Sequence, residues 1–235
     1  MALIPHTFDN EKHLYLVDGE FVLSTSAVIE LNGMSDMSQV PRDALEFASH
    51  RGSALHAAVL AYEMDCSPED AVEGYCAKYE ANVFDTVMER FRFYLRWRDQ
   101  HELKLAGKME QTRVYRHVGT EILIGTTIDF PCFLDDVRTN LDLKSGFKQY
   151  GQKAKQDSLK WAAQLQSYAE ASDAEEGGEP AGAILHLHPN CGKTGIKGEA
   201  LGYEFHPMPE CAHLWDSMIR VAVEKLSHGY QLEKR

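Results

Sequence analysis

At 235 residues and 44% hydrophobic content, the chain has the length of one large domain with a real core and the composition of an ordinary soluble globular protein. Charges interrupt every apolar run, which excludes a bilayer span, and five scattered cysteines with no C-x-x-C pair argue against a disulfide framework, a zinc ribbon and a four-cysteine cluster. The formal charge of −12 lacks the basic footprint that nucleic-acid binders ordinarily carry.

That charge is unevenly spread. Residues 63 to 89 hold eight acids against Lys78, whereas residues 141 to 160 hold five lysines (Lys144, Lys148, Lys153, Lys155 and Lys160) against Asp142 and Asp157. The N-terminus, Met1-Ala-Leu-Ile-Pro-His6, has no basic stretch followed by an apolar core, which predicts a cytoplasmic chain.

Taken in order, residues 13 to 23 alternate around Asp18-Gly19, a strong two-residue hairpin signal. Ser24-Thr25-Ser26 offers an N-cap for a short helix that stops at Asn32-Gly33, and Val40-Pro41 opens another with proline at its first position. Arg51-Gly52-Ser53 leads into a small-residue helix over 54–62 carrying His56, which taken alone reads as a core histidine. Ser67-Pro68-Glu69-Asp70 starts a helix with a cap, a proline and two acids at its positive end.

A long helix is predicted over 81–104, its arginines 90, 92, 96 and 98 alternating with aromatics; this is either a stacking and phosphate surface or, more ordinarily, a solvated basic face. Residues 109–117 read as a strand with Glu110 near its start, and 121–124 as the next. The polar, lysine-rich stretch 145–155 reads as a mobile or ligand-dependent loop, followed by a clear helix from Asp157 that places Gln164 and Tyr168 on one face. Residues 183–188 form a strand with His186 and His188 on one side, a metal pair lacking a third ligand nearby. A strand over 201–206 and an amphipathic helix over 210–226 close the chain.

The centre of the sequence is the stretch from Gly125 to Lys144. Gly125-x-x-x-Asp129 ends one strand, Asp135-Asp136 makes a tight turn, and in Asp142-Leu143-Lys144 the period of two puts carboxylate and ammonium on one face. Taken alone, Asp-x-Lys on a strand is ordinarily a solvated pair. Asp129 at the end of the preceding strand can meet it, and two carboxylates beside a lysine suit a divalent cation next to a phosphate and an attacking water.

The ordered set Arg51-Gly52-x-x-x-His56, Glu110, Gly125-x-x-x-Asp129, Asp142-x-Lys144 and Gln164-x-x-x-Tyr168 resembles the PD-(D/E)XK nuclease superfamily, within it the RecB-type and phage exonuclease branch. The resemblance spans roughly residues 56 to 168, and the hairpin with Ser24-Thr25-Ser26 is similar to the N-terminus of phage members. It implies an α/β (α+β) fold with a restriction-endonuclease-like core: a mixed central sheet flanked by helices, with helical additions. The whole chain, 1–235, is then a single nuclease domain: an N-terminal hairpin and helices over 1–50, a catalytic core over 51–188, and a C-terminal strand and helix over 189–235.

By the same resemblance, Asp129, Asp142, the Leu143 carbonyl and His56 would ligate Mg²⁺ or Mn²⁺, the histidine shifting preference toward Mn²⁺. Lys144 would orient or help deprotonate the attacking water, its pKa lowered by burial and by the ion. Glu110 would bind a second ion or position water. Gln164 and Tyr168 would support Lys144 and, with Arg51, Ser145, Lys148, Lys153, Lys155 and Lys160, contact DNA. The implied activity is metal-dependent DNA exonuclease action on linear ends, duplex or single-stranded, in phage-type recombination or repair. A structure-specific endonuclease and a catalytically silent DNA-binding or assembly subunit are the alternatives. Expected partners are DNA and a single-strand annealing protein or further copies of the chain, with no membrane. RecB-type members that carry an iron–sulfur cluster place one cysteine before the histidine helix and three near the C-terminus. Here the first is Cys66 and the tail offers Cys191 and Cys211, which predicts no cluster.

Overall fold

The computed structural model describes residues 4–9, 14–34, 40–146, 150–176, 180–192 and 200–230. Strand β1 (Thr7–Asp9) pairs with β2 (Leu14–Val17), which turns into β3 (Glu20–Ser24) through Asp18-Gly19. Both turn residues have positive φ, 51° and 83°, as the expected two-residue hairpin demands. Ser24 caps α1 (Thr25–Leu31), its hydroxyl accepting from the Ala27 N–H at 3.2 Å.

The next helix, α2 (Arg42–Glu63), is a single 22-residue rod that runs unbroken across the expected division at residue 50. Arg51-Gly52-Ser53, expected to lead into a helix over 54–62, lies inside this one, where one helical glycine costs only about 1 kcal/mol. Burial of Ala54, Leu55, Ala58 and Val59 in a core shared with α3 (Pro68–Tyr79) and α4 (Phe84–Arg98) offsets that. Ser67 and Pro68 start α3 as expected.

Helix α4 is shorter than its periodicity predicts, because Leu103–Leu105 leaves it to form β4. Arg98 explains the stop. Its guanidinium, anchored on Glu63 at 3.0 Å, donates to the carbonyls of His101 (2.6 Å) and Leu103 (2.9 Å), which then need no further helical turn.

Four strands follow: β5 (Gln111–Arg116), β6 (Leu123–Ile128), β7 (Phe130–Leu134) and β8 (Val137–Lys144). Helix α5 (Gly151–Glu176) begins six residues earlier than expected, since Gln152 to Gln156 are good helix formers. The last five residues of the expected loop, 151–155, are therefore helix. Then come β9 (Ala181–Leu187), β10 (Tyr203–Met208) and α6 (Ala212–Ser227).

The fold is α+β, with six helices and two mixed sheets of five strands among the described residues. One sheet has the order β1-β2-β3-β6-β5, with β3 parallel to β6; the other has the order β10-β9-β8-β7-β4, with β8 parallel to β9. Only Asp129 separates β6 from β7, so the chain crosses from one sheet to the other at that residue. On the partner side of this bend, β4 leads to β5, and the Glu110 N–H donates to the Asp129 carbonyl at 3.0 Å.

Two cores result. Leu141, Leu143, Ala183, Leu185 and Leu187 pack with α2, α3 and α4, centred on Trp97 and Tyr94. The opposite face of the second sheet, through Ile184, meets α5 in the core that α5 shares with α1, α6 and the first sheet. A buried hydrogen-bonded chain, Trp215 to Tyr115 to Ser167 and Ser167 to Thr25, ties four elements together there. No described helix is long and apolar enough to cross a membrane.

Candidate active site

Period two along β8 sends Leu141 and Leu143 into the first core and turns Asp142 and Lys144 toward α5. Asp142 is fully buried (0% exposed) on the central strand β8, in register with Ile184 of its neighbour β9. The Lys144 Nζ lies 2.6 Å from Asp142 Oδ2, and donates to Gln164 Oε1 at 3.1 Å. Gln164 in turn donates from Nε2 to the Tyr168 hydroxyl at 2.6 Å. Asp142 is thus held by an ion pair to Lys144, and the Asp129 side chain shares a hydrogen bond with it.

Asp129 reaches the same place from the bend between the sheets. Burial, and next the Asp142 charge, push its pKa up, against the opposing pull of His56 and Lys144. For Lys144, burial pulls the pKa down but Asp142 and Asp129 outweigh it, and the net direction is up. The expected lowering includes the pull of a bound ion; beside two carboxylates alone the balance favours the ammonium.

His56 of α2 donates from Nε2 to the Leu143 carbonyl at 3.4 Å, and its Nδ1 faces Glu110 Oε1 at 3.7 Å. Burial lowers its pKa, but Glu110, Asp129 and Asp142 together raise it to about 9. That direction favours the imidazolium, and the bond to the Leu143 carbonyl is the one expected of a histidine on a packed helix. Glu110, whose side chain is 59% exposed, stands at the outer edge with a positive φ of 52°.

Asp129, Asp142, Lys144, Glu110, His56, Gln164 and Tyr168 thus form one connected set. The DNA-contact expectations divide. Lys153 and Lys155 are exposed on the first turns of α5, Lys160 is half-buried, and Lys148 lies outside the described residues. Arg51 (6% exposed), Ser145 and Tyr168 (3% exposed) are buried beside Lys144 and Gln164, away from the exposed lysines. Arg51 donates to the Ser145 hydroxyl at 3.3 Å, so it holds the chain just after Lys144. Tyr168 is enclosed because it supports Gln164 from behind.

Sequence reasoning missed three contributors. Arg90, expected on a solvated face or stacking surface, is buried and donates to the Ser145 carbonyl at 3.2 Å. Burial, then Arg51, lowers its pKa to about 10. His186 donates to the Gly146 carbonyl at 2.7 Å, fixing the same turn instead of joining His188 in a metal pair. Tyr15 covers β6: its hydroxyl meets Thr127 Oγ1 at 2.6 Å, and a Cβ on Gly125 would fall 2.3 Å from its ring. The only sequence signal for Tyr15 was the glycine at 125, which leaves space without saying for what.

Among the described residues, no three His, Cys, Asp or Glu side chains form a preassembled metal cluster. The donor chemistry nevertheless fits a hard divalent cation: a fully buried carboxylate, a second carboxylate beside it that resists ionisation, and a backbone carbonyl. His56 can join only after losing a proton.

No family model matches the chain, and no curated protein matches it. Among solved structures, the crystal structure of SSO0001 is similar at a TM-score of 0.39 and 11% identity, over 91% of this chain and 78% of that one. A likeness at that level carries no argument about function.

Proposed function

We propose that the chain is a Mg²⁺- or Mn²⁺-dependent deoxyribonuclease of PD-(D/E)XK type that acts as an exonuclease on DNA ends, in phage-type recombination or repair. The observation that carries it is the fully buried Asp142 carboxylate, paired with Lys144 at 2.6 Å and adjoined by the second carboxylate of Asp129. A protein seldom buries such a group without use for it. The preference for ends rests on the resemblance to the phage branch.

In this reading Asp129, Asp142, the Leu143 carbonyl and a deprotonated His56 would hold the ion, which supplies Lewis acidity toward the phosphodiester. The Lys144 ammonium offsets charge on the scissile phosphate and orients the water whose oxygen bonds to phosphorus as the P–O ester bond breaks. Gln164 holds that ammonium in place, and Tyr168, kept neutral because burial and then Asp129 raise its pKa, holds Gln164. Exposed Lys153 and Lys155 offer positive charge on an otherwise acidic body. Glu110 at the rim is placed to bind a second ion or position water.

End-labelled linear duplex, linear single strand and a covalently closed circle, incubated with Mg²⁺, Mn²⁺ or EDTA, test this. Metal-dependent loss of linear DNA alone is expected, falling at least about a hundredfold in Asp142→Ala and Lys144→Ala. Digestion of the circle would make the enzyme an endonuclease. Retained DNA binding without cleavage in any metal would leave a silent binding subunit.

A further inference from the structure

The helix face that supports Lys144 continues past it. Along α5, Lys153, Asp157, Trp161, Gln164 and Tyr168 recur at intervals of three and four and share one stripe. Gln164 and Tyr168 serve Lys144. Three residues toward the helix N-terminus, a rise of about 4.5 Å, Trp161 lines a groove of about 380 Å³. Glu204, His206 and Met208 of β10 form the facing wall, and His186 of β9 lines it too. His186 is the parallel partner of Lys144 on the adjacent strand, so the groove opens beside the lysine.

Its lining defines the occupant. Trp161 meets His186 edge-on, with centroids 5.8 Å apart and planes at 78°, and is tilted by 42° to His206 at 6.1 Å. Neither contact is face-to-face. Aromatic walls of this kind take a planar group. Two carboxylates, Asp157 and Glu204, line the groove and would repel a phosphate; Glu204 already accepts from the Gly192 N–H at 3.1 Å and faces His206 Nε2 at 3.5 Å, so Asp157 is the acceptor offered to a ligand. The exocyclic amines of nucleobases, by contrast, donate to carboxylates. The volume is that of a small-ligand site, for which about 300 Å³ is the lower bound. A nucleobase joined to a phosphate at Lys144 meets these requirements, adenine, guanine and cytosine with an exocyclic amine and thymine through its planar face alone.

We propose that this groove binds the unpaired base of the nucleotide next to the scissile phosphate, so that the enzyme works on a single-stranded or frayed end. The inference rests on the nuclease reading and adds the strandedness which that reading leaves open. A paired base has its amine engaged and its faces stacked on neighbours, and must leave the duplex to enter.

The test uses the full chain and two labelled single strands of equal length and charge, one normal and one abasic at its terminal nucleotides, with a blunt duplex alongside. Cleavage in Mn²⁺ is followed by kcat and KM for the wild type, Trp161→Phe and Trp161→Ala. In the wild type, the abasic end should lower kcat/KM about tenfold, mostly through KM, the size of one lost base–aromatic stack. Trp161→Ala should lose about as much on the normal strand and no longer distinguish the two strands; Trp161→Phe should keep most of the difference. The blunt duplex should be cut more slowly than the normal strand. Equal wild-type rates on normal and abasic ends, or on blunt duplex and single strand, would overturn the groove and leave the nuclease standing. Absence of both cleavage and binding in either metal would overturn the two together. Should Trp161→Ala fail to fold, the wild-type comparison of the two strands decides by itself.

Discussion

Asp129 is held where its charge is unwelcome. Burial and the neighbouring Asp142 raise its folded pKa above the usual 3.8, so its ionisation opposes folding. The sign follows from linkage: the cost sets in as pH rises through the unfolded value and is complete above the folded one. In EDTA near neutral pH or above, Asp129→Asn should therefore be more stable than the wild type, by on the order of 1 kcal/mol after allowing for its partial exposure. Saturating Mn²⁺ should reverse the order, since an ion bound only by the native wild type adds about 2.7 kcal/mol at a hundredfold excess over its Kd. Thermal unfolding of both proteins with and without the ion checks this. A wild type that stays the more stable in EDTA would mean that Asp129 is satisfied by the protein alone.

At the scale of elements, the site depends on one bent strand. Strands β6 and β7 belong to different sheets and share a single junction residue, so anything that shifts β6 shifts Asp129. Gly125 lies under Tyr15, and a methyl group there would sit 2.3 Å from the ring. The Tyr15 hydroxyl is bonded to Thr127, two residues from Asp129, which leaves the ring little freedom to retreat. Gly125→Ala should cost about 1–3 kcal/mol, the usual penalty of overpacking, and should lower cleavage as well. Adding Tyr15→Ala should recover part of both losses. Urea midpoints for the two single variants and the double variant give the coupling, and simple additivity would show that the two residues act independently.

At the scale of the whole molecule, His117 fastens the C-terminal helix to the rest. Its Nδ1 meets Glu170 of α5 at 2.7 Å and its Nε2 meets Asp216 of α6 at 3.2 Å; Arg220 binds the same Asp216 and the Gly119 carbonyl. Burial lowers the His117 pKa, but the two carboxylates outweigh it and raise it above 6.5. A raised histidine stabilises fully below its unfolded pKa, and the contribution is lost as pH climbs through the folded value. His56 behaves in the same direction, so the test is a comparison. Between about pH 6 and about pH 9, the urea midpoint of the wild type should fall more steeply than that of His117→Gln. Parallel curves would mean that His117 is neutral in the folded protein.

Where local chemistry decides, the sequence could be read directly. The Asp18-Gly19 hairpin, the Ser24 cap and the Ser67-Pro68 start each depend on residues within one turn of themselves. Period two placed Asp142 and Lys144 on one face without any knowledge of neighbouring strands, and the same spacing logic paired Gln164 with Tyr168. Other features were settled by partners far along the chain. Strand β4 exists because β7 pairs with it and Arg98 caps the chain before it. Glycine 52 stays helical because α2 buries its apolar residues against α3 and α4. Arg51 and Arg90 look like surface cations in sequence, but both turn inward onto Ser145, 94 and 55 residues away. The rise in the Lys144 pKa, the bend at Asp129 and the groove beside Trp161 arise only when two sheets and α5 meet. Spacing along a chain determines which side chains share a face; what those faces meet, and so their charge and burial, is decided by packing.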